Sequence, residues 1–154
     1  MRTALSAILA LALVGPAVAF EANTMGMFFN ESDFSDETRT IATSSAPFNG
    51  YVVLLEPSVS SVGGYEVGIS LSAMNVYVLQ ATGPNGWTNF GGNLNHLVGY
   101  MSPLSVSGSG TVLATVQMMY TSNDHVQIYF GEADPPSISG GPVIADGGDP
   151  DIMY

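Results

Sequence analysis

Two histidines, His96 and His125, are the residues of this chain best suited to moving protons, because imidazole titrates closest to neutrality. Neither is accompanied by a His-x-x-x-His pair or a Gly-x-Ser-x-Gly turn. Each is read either as an ordinary surface or satisfied histidine or as a ligand or catalytic base, and the strands that hold them are placed apart. Thirteen Asp and Glu could supply the carboxylate pair of a glycosidase, but nothing in their spacing selects two. Cysteine is absent, which excludes disulfides, thiolate metal sites, a cysteine nucleophile and a lipid anchor on an amino-terminal cysteine. The expectation is a protein that is not an enzyme.

Two acidic clusters have the oxygen-rich composition that Ca²⁺ favours. The first is Asn30, Glu31, Asp33, Asp36 and Glu37, and the second is Asp146, Asp149 and Asp151 around Gly147 and Gly148. Neither follows EF-hand spacing. Each is read as a solvated loop or as a calcium site, and no other cofactor is expected.

Trp87 is the best candidate for touching a ligand. It lies in Gly83-Pro84-Asn85-Gly86-Trp87-Thr88-Asn89-Phe90-Gly91, where Trp87 and Phe90 could stack on a sugar while Asn85, Asn89 and Asn93 bond its hydroxyls. The other reading turns Trp87 and Phe90 inward as plugs that hold the loop on the domain.

The elements that would position these groups all read as strands. Met25, Met27 and Phe29 mark one from Thr24 to Asn30, leading into the acidic loop. Tyr51-Val52-Val53-Leu54-Leu55 is apolar throughout, as in a strand covered on both faces. Tyr65, Val67, Ile69 and Leu71 alternate with Glu66, Gly68, Ser70 and Ser72, which is a strand with one wet face. Further strands are predicted at Val76 to Gln80, His96 to Met101 and Thr111 to Tyr120, with Thr82 to Asn95 as the longest loop. Val112, Ala114, Val116, Met118 and Tyr120 are assigned to one face. Thr121 to Asp124 reads as the turn of a β-hairpin into Val126, Ile128 and Phe130. The stretch from about residue 132 is rich in Pro and Gly, with a short edge strand at Pro142 to Ala145. No helical periodicity of useful length follows the first nineteen residues.

Those nineteen residues have the layout of a secretory signal peptide: Arg2, an apolar run from Ala4 to Val14, a Gly15-Pro16 break and Ala17-Val18-Ala19. The expectation is a mature chain from Phe20 to Tyr154, forming a single secreted domain in the medium or the periplasm. Loss of Arg2 leaves Arg39 as its one cation and makes it one unit more negative than the −11 of the whole chain. Nucleic acid is a poor partner, since phosphate binding depends on Lys and Arg. Insertion of the mature chain into a membrane is not expected.

Short strands punctuated by Gly, Pro, Ser and Asn predict an all-β, two-layer antiparallel β-sandwich, jelly-roll or immunoglobulin-like in topology. Gly64-Tyr65-Glu66-Val67-Gly68-Ile69, followed by Gly108-Ser109-Gly110 and the apolar strand Thr111 to Met118, resembles the cohesin and carbohydrate-binding-module type of β-sandwich. Cohesins imply docking to another protein, and carbohydrate-binding modules imply polysaccharide binding. The resulting expectation is a secreted, non-enzymatic binding or structural module with an extracellular protein or surface as partner. The alternative is a carbohydrate-binding module that stacks sugar on Trp87, with or without calcium.

Overall fold

The computed structural model describes residues 21–35, 37, 38, 46–122 and 124–154. The expected signal peptide, Asp36 and Arg39 lie outside the described residues. Among those described, nine strands form two antiparallel sheets that share one apolar core: β1 (Thr24–Phe28), β2 (Phe48–Leu55), β3 (Ser61–Leu71), β4 (Val76–Thr82), β5 (Thr88–Asn89), β6 (Asn95–Ser105), β7 (Gly110–Tyr120), β8 (Ile128–Gly131) and β9 (Val143–Asp146). The four-stranded sheet runs β1-β2-β7-β4, and the five-stranded sheet runs β5-β6-β3-β8 with β9 also on β3. This is the predicted β-sandwich. Among the described residues no helix is long and apolar enough to cross a membrane.

Period-two patterning explains the core. Met25 and Met27 of β1, Val52 and Leu54 of β2, and Val116 and Met118 of β7 face Tyr65, Val67 and Ile69 of β3 across the interlayer space. Each fully buried side chain of this size contributes roughly 1.5–3 kcal/mol. The uninterrupted apolar run of β2 is explained by a second cluster on the outer face of its sheet. Val53 and Leu55 meet Phe28 there, covered by Phe34, Tyr51 and Val112. The acidic segment after β1 is thus more than a solvated loop. Phe34 reaches back to place its ring edge-on to Phe28, with 5.5 Å between centroids.

β7 departs from the single face assigned to it. Val52 pairs with Ala114 but Val53 pairs with Val112, so Leu113 is an extra residue in the ladder. Such a bulge shifts the alternation by one residue. Leu113 and Ala114 both enter the main core, and Val112 faces outward.

The predicted hairpin between β7 and β8 does not form. Both edges of β7 are taken by β2 and β4, and β8 crosses to the other sheet to pair with β3 from Gly68 to Leu71. The crossing is held by local polar contacts. The Tyr120 hydroxyl donates to the Asp124 carbonyl, and Asn75 Nδ2 donates to Asp124 Oδ2 at 3.1 Å.

β3 is the spine of its sheet. One edge pairs with β6, while the other takes β9 over Val62 to Glu66 and then β8. Where β9 gives way to β8, a Cβ on Gly68 would come within 2.1 Å of the Glu132 carbonyl oxygen. β9 matches the expected carboxy-terminal strand within a residue, but it is not an edge. Ile144 exchanges backbone hydrogen bonds with Tyr154, and Asp146 N donates to Ile152 O.

The region between Thr82 and Asn95 contains structure too. β5 pairs Thr88 and Asn89 with Gly99 and Val98 of β6, and a tight turn joins Gly92 to Asn95.

Candidate functional site

His96 is the second residue of β6 and is fully buried. Its Nδ1 lies 2.8 Å from the Tyr65 hydroxyl, and its Nε2 lies 3.2 Å from the Asn93 carbonyl oxygen. A carbonyl only accepts, so the proton belongs on Nε2 and Nδ1 accepts from Tyr65. Trp87 Nε1 in turn donates to the Tyr65 oxygen at 3.3 Å. The result is a closed chain of hydrogen bonds from Trp87 through Tyr65 and His96 to Asn93. Desolvation pushes the His96 pKa down, which keeps the ring neutral, and burial pushes the Tyr65 hydroxyl up. Every polar atom of this group is partnered, so a general base would first have to break one of these bonds.

This geometry fixes the surroundings of the Trp87 loop. The indole is half-buried, packs on the main core and stands edge-on to His96 with 6.0 Å between centroids. Asn89 organises the loop itself: its Oδ1 accepts from the backbone N of Gly91 and of Leu97, and its Nδ2 donates to Gly92 O. Asn85 takes a left-handed backbone (φ 54°) and donates to Pro103 O at 3.3 Å. Asn93 contributes its carbonyl to His96 while the residue is exposed, and Phe90 is 76 % exposed. Of the five residues, Trp87 and Asn89 are therefore spent on holding the loop.

The acidic residues form separate local turns. Asn30 Oδ1 accepts from Ser32, and Asp33 Oδ1 accepts from both the backbone and the hydroxyl of Ser35. These bonds hold the Asp33 carboxyl below its ordinary pKa. Asp146 Oδ1 accepts from Gly148 N, and Asp149 Oδ1 accepts from Asp151 N. Glu31, Glu37 and Asp151 are exposed. Among the described residues no group of three or more His, Asp or Glu gathers around a common point that could hold a metal ion.

A shallow groove of about 330 Å³ lies between the β3 end, the β6 start and β8, lined by Tyr129, Glu132 and Asp134 among others. Its polar groups are largely engaged. Asn95 and Asp134 exchange two hydrogen bonds, and Glu132 Oε1 accepts from Gly140 N at 2.5 Å. His125 is exposed and precedes β8, away from the buried His96.

A further polar surface lies on the outer face of the four-stranded sheet, beside a β-bulge at Leu79 of β4, and the sequence reading missed it. Strand register sets Asn49 of β2 opposite Gln117 of β7, and Gln117 opposite Gln80 of β4. Three amides thus lie side by side, spanning about 10 Å at the usual strand spacing. Gln80 Nε2 and Gln117 Oε1 approach to 3.5 Å. The next row holds Tyr51, Thr115 and Thr82, and on the other side Met119 lies opposite Tyr77. Tyr77 is 52 % exposed. The Glu37 carboxylate on this face lies over Gly26 of β1, but β2, β7 and β4 carry no charge, because no Asp, Glu, Lys or Arg occurs between Arg39 and Glu56 or across the long gap between Glu66 and Asp124. That gap in an otherwise acidic chain is the signal that could have found it.

Comparison with known protein families, with curated proteins and with solved structures finds no match for this chain.

Proposed function

We propose that this domain is a non-enzymatic binding module, exported by its amino-terminal signal and acting outside the cytoplasm on an extracellular protein or a polysaccharide. The observation that carries this reading is the uncharged polar row on β2, β7 and β4 of the four-stranded sheet, displayed on strands rather than on loops. Binding constellations built on regular elements are held more firmly than those on loops. The buried histidine supports the same reading, because Tyr65 and Asn93 occupy both of its nitrogens. The resemblance to cohesin and carbohydrate-binding sandwiches points the same way.

Backbone amide chemical-shift mapping of the mature protein, titrated with candidate extracellular proteins and polysaccharides, tests the proposal. Shifts clustered at Asn49 to Tyr51, Tyr77 to Thr82 and Thr115 to Met119, with no conversion of the added molecule, are expected. Turnover of a glycoside, ester or peptide that is lost on His125→Ala or Glu132→Gln would overturn it.

A further inference from the structure

We infer that the amide row Asn49, Gln117 and Gln80 is a subsite for a neutral polysaccharide, with Tyr51 and Tyr77 as its aromatic flanks. The inference rests on the binding-module reading above and names its ligand class. Each carboxamide offers both donors and an acceptor, which matches a sugar hydroxyl that also does both. Among the described residues, Asn49 has no hydrogen bond from its side chain, and the single approach between Gln80 and Gln117 is long at 3.5 Å. The row therefore retains most of its hydrogen-bonding capacity for a ligand.

Tyr51 and Tyr77 stand on either side of the row, two strands and four residues apart in register, or about 17 Å diagonally. That span suits an extended chain of several sugars rather than a monosaccharide. The exposed Tyr77 ring offers an apolar face to sugar C–H groups at one end, and the half-buried Tyr51 ring, packed on the outer cluster, offers its remaining exposed part at the other.

Charge selects the class. The whole chain carries −11, so an acidic polysaccharide is repelled at long range. The row and its two tyrosines carry no carboxylate themselves, and the Glu37 carboxylate on this face lies over Gly26 of β1, beyond the Tyr51 end of the row, so a cationic ligand finds no ion pair along the row. An uncharged, hydroxyl-rich polymer is the ligand that meets neither obstacle.

Affinity electrophoresis of the mature protein in gels containing xyloglucan, galactomannan or hydroxyethylcellulose, with pectate as the acidic control, reads this directly. At least one neutral polymer should retard the protein, and pectate should not. Gln80→Ala/Gln117→Ala and Tyr77→Ala should each weaken retardation by about tenfold, the loss of roughly one good polar or stacking contact. Trp87→Phe should leave it unchanged, with melting curves confirming that every variant is folded. No retardation by any neutral polymer, retardation indifferent to the face variants, or loss in Trp87→Phe alone would each overturn the inference. If the glycans fail while a protein ligand still shifts the amides of this face, the glycan subsite falls and the binding module stands. If no ligand of either kind shifts them, both fall.

Discussion

The Tyr65 hydroxyl lies 2.8 Å from Nδ1 of the fully buried His96, joining β3 to β6 through side chains as well as backbone. Tyr65 also accepts from the half-buried Trp87, so one oxygen serves two polar groups at the core. Tyr65→Phe removes that oxygen and leaves both without it. Unpartnered buried groups cost about 1–3 kcal/mol. A fall in urea-unfolding free energy of that size is expected, together with altered Trp87 fluorescence in the folded state.

Acidification should weaken the fold through His96. Its folded pKa lies below the ordinary 6.5, and the unfolded chain titrates near that value. The unfolded state therefore binds the proton first as pH falls. Stability from this residue is complete above about 6.5 and is lost progressively below it, until the folded ring also protonates. Urea midpoints measured between about pH 5 and 7.5 should slope downward on the acid side, and His96→Gln should flatten the slope.

Phe34→Ala should expose the outer cluster. Phe34 sits edge-on to Phe28 and covers Val53 and Leu55 together with Tyr51 and Val112. Because Phe34 is only half-buried, the cost should lie below that of a core phenylalanine, at about 2 kcal/mol. Increased binding of a hydrophobic dye and faster hydrogen exchange in β1 should accompany the lower melting temperature.

Gly68→Ala tests the junction on β3. The added methyl would meet the Glu132 carbonyl at 2.1 Å, and a backbone atom cannot swing aside as a side chain does. Strain of this kind costs about 1–3 kcal/mol. The lesion should be local, with exchange protection lost first in β8, where Gly131 pairs with Gly68.

The strands of this fold are legible in the residues because burial follows period two. Tyr65, Val67 and Ile69 are buried, and Glu66, Gly68 and Ser70 between them are not. The apolar run of β2 likewise announces cover on both faces, although not that Phe34 supplies part of it. Pairing is a different matter. The turn from Thr121 to Asp124 has hairpin chemistry, yet β8 crosses layers because β7 has no free edge, and that depends on β2 and β4 far away in the chain. Val112 shows the same limit on a smaller scale. Its side is decided by the extra residue Leu113, which local alternation cannot reveal. The amide row escaped notice because Asn49, Gln80 and Gln117 become neighbours only through register.

Strand β3, with β6 on one side and β9 and β8 end to end on the other, also sets a timetable. A chain is made from its amino terminus, so Val62 to Glu66 emerge long before Val143 to Asp146 can pair with them. Contacts this distant in sequence form slowly. Until the last residues are released, the spine of the sheet is left with an open edge. The chain must therefore be held apart from its copies through most of its synthesis, and its many carboxylates, concentrated before and after the neutral middle, supply mutual repulsion during that interval.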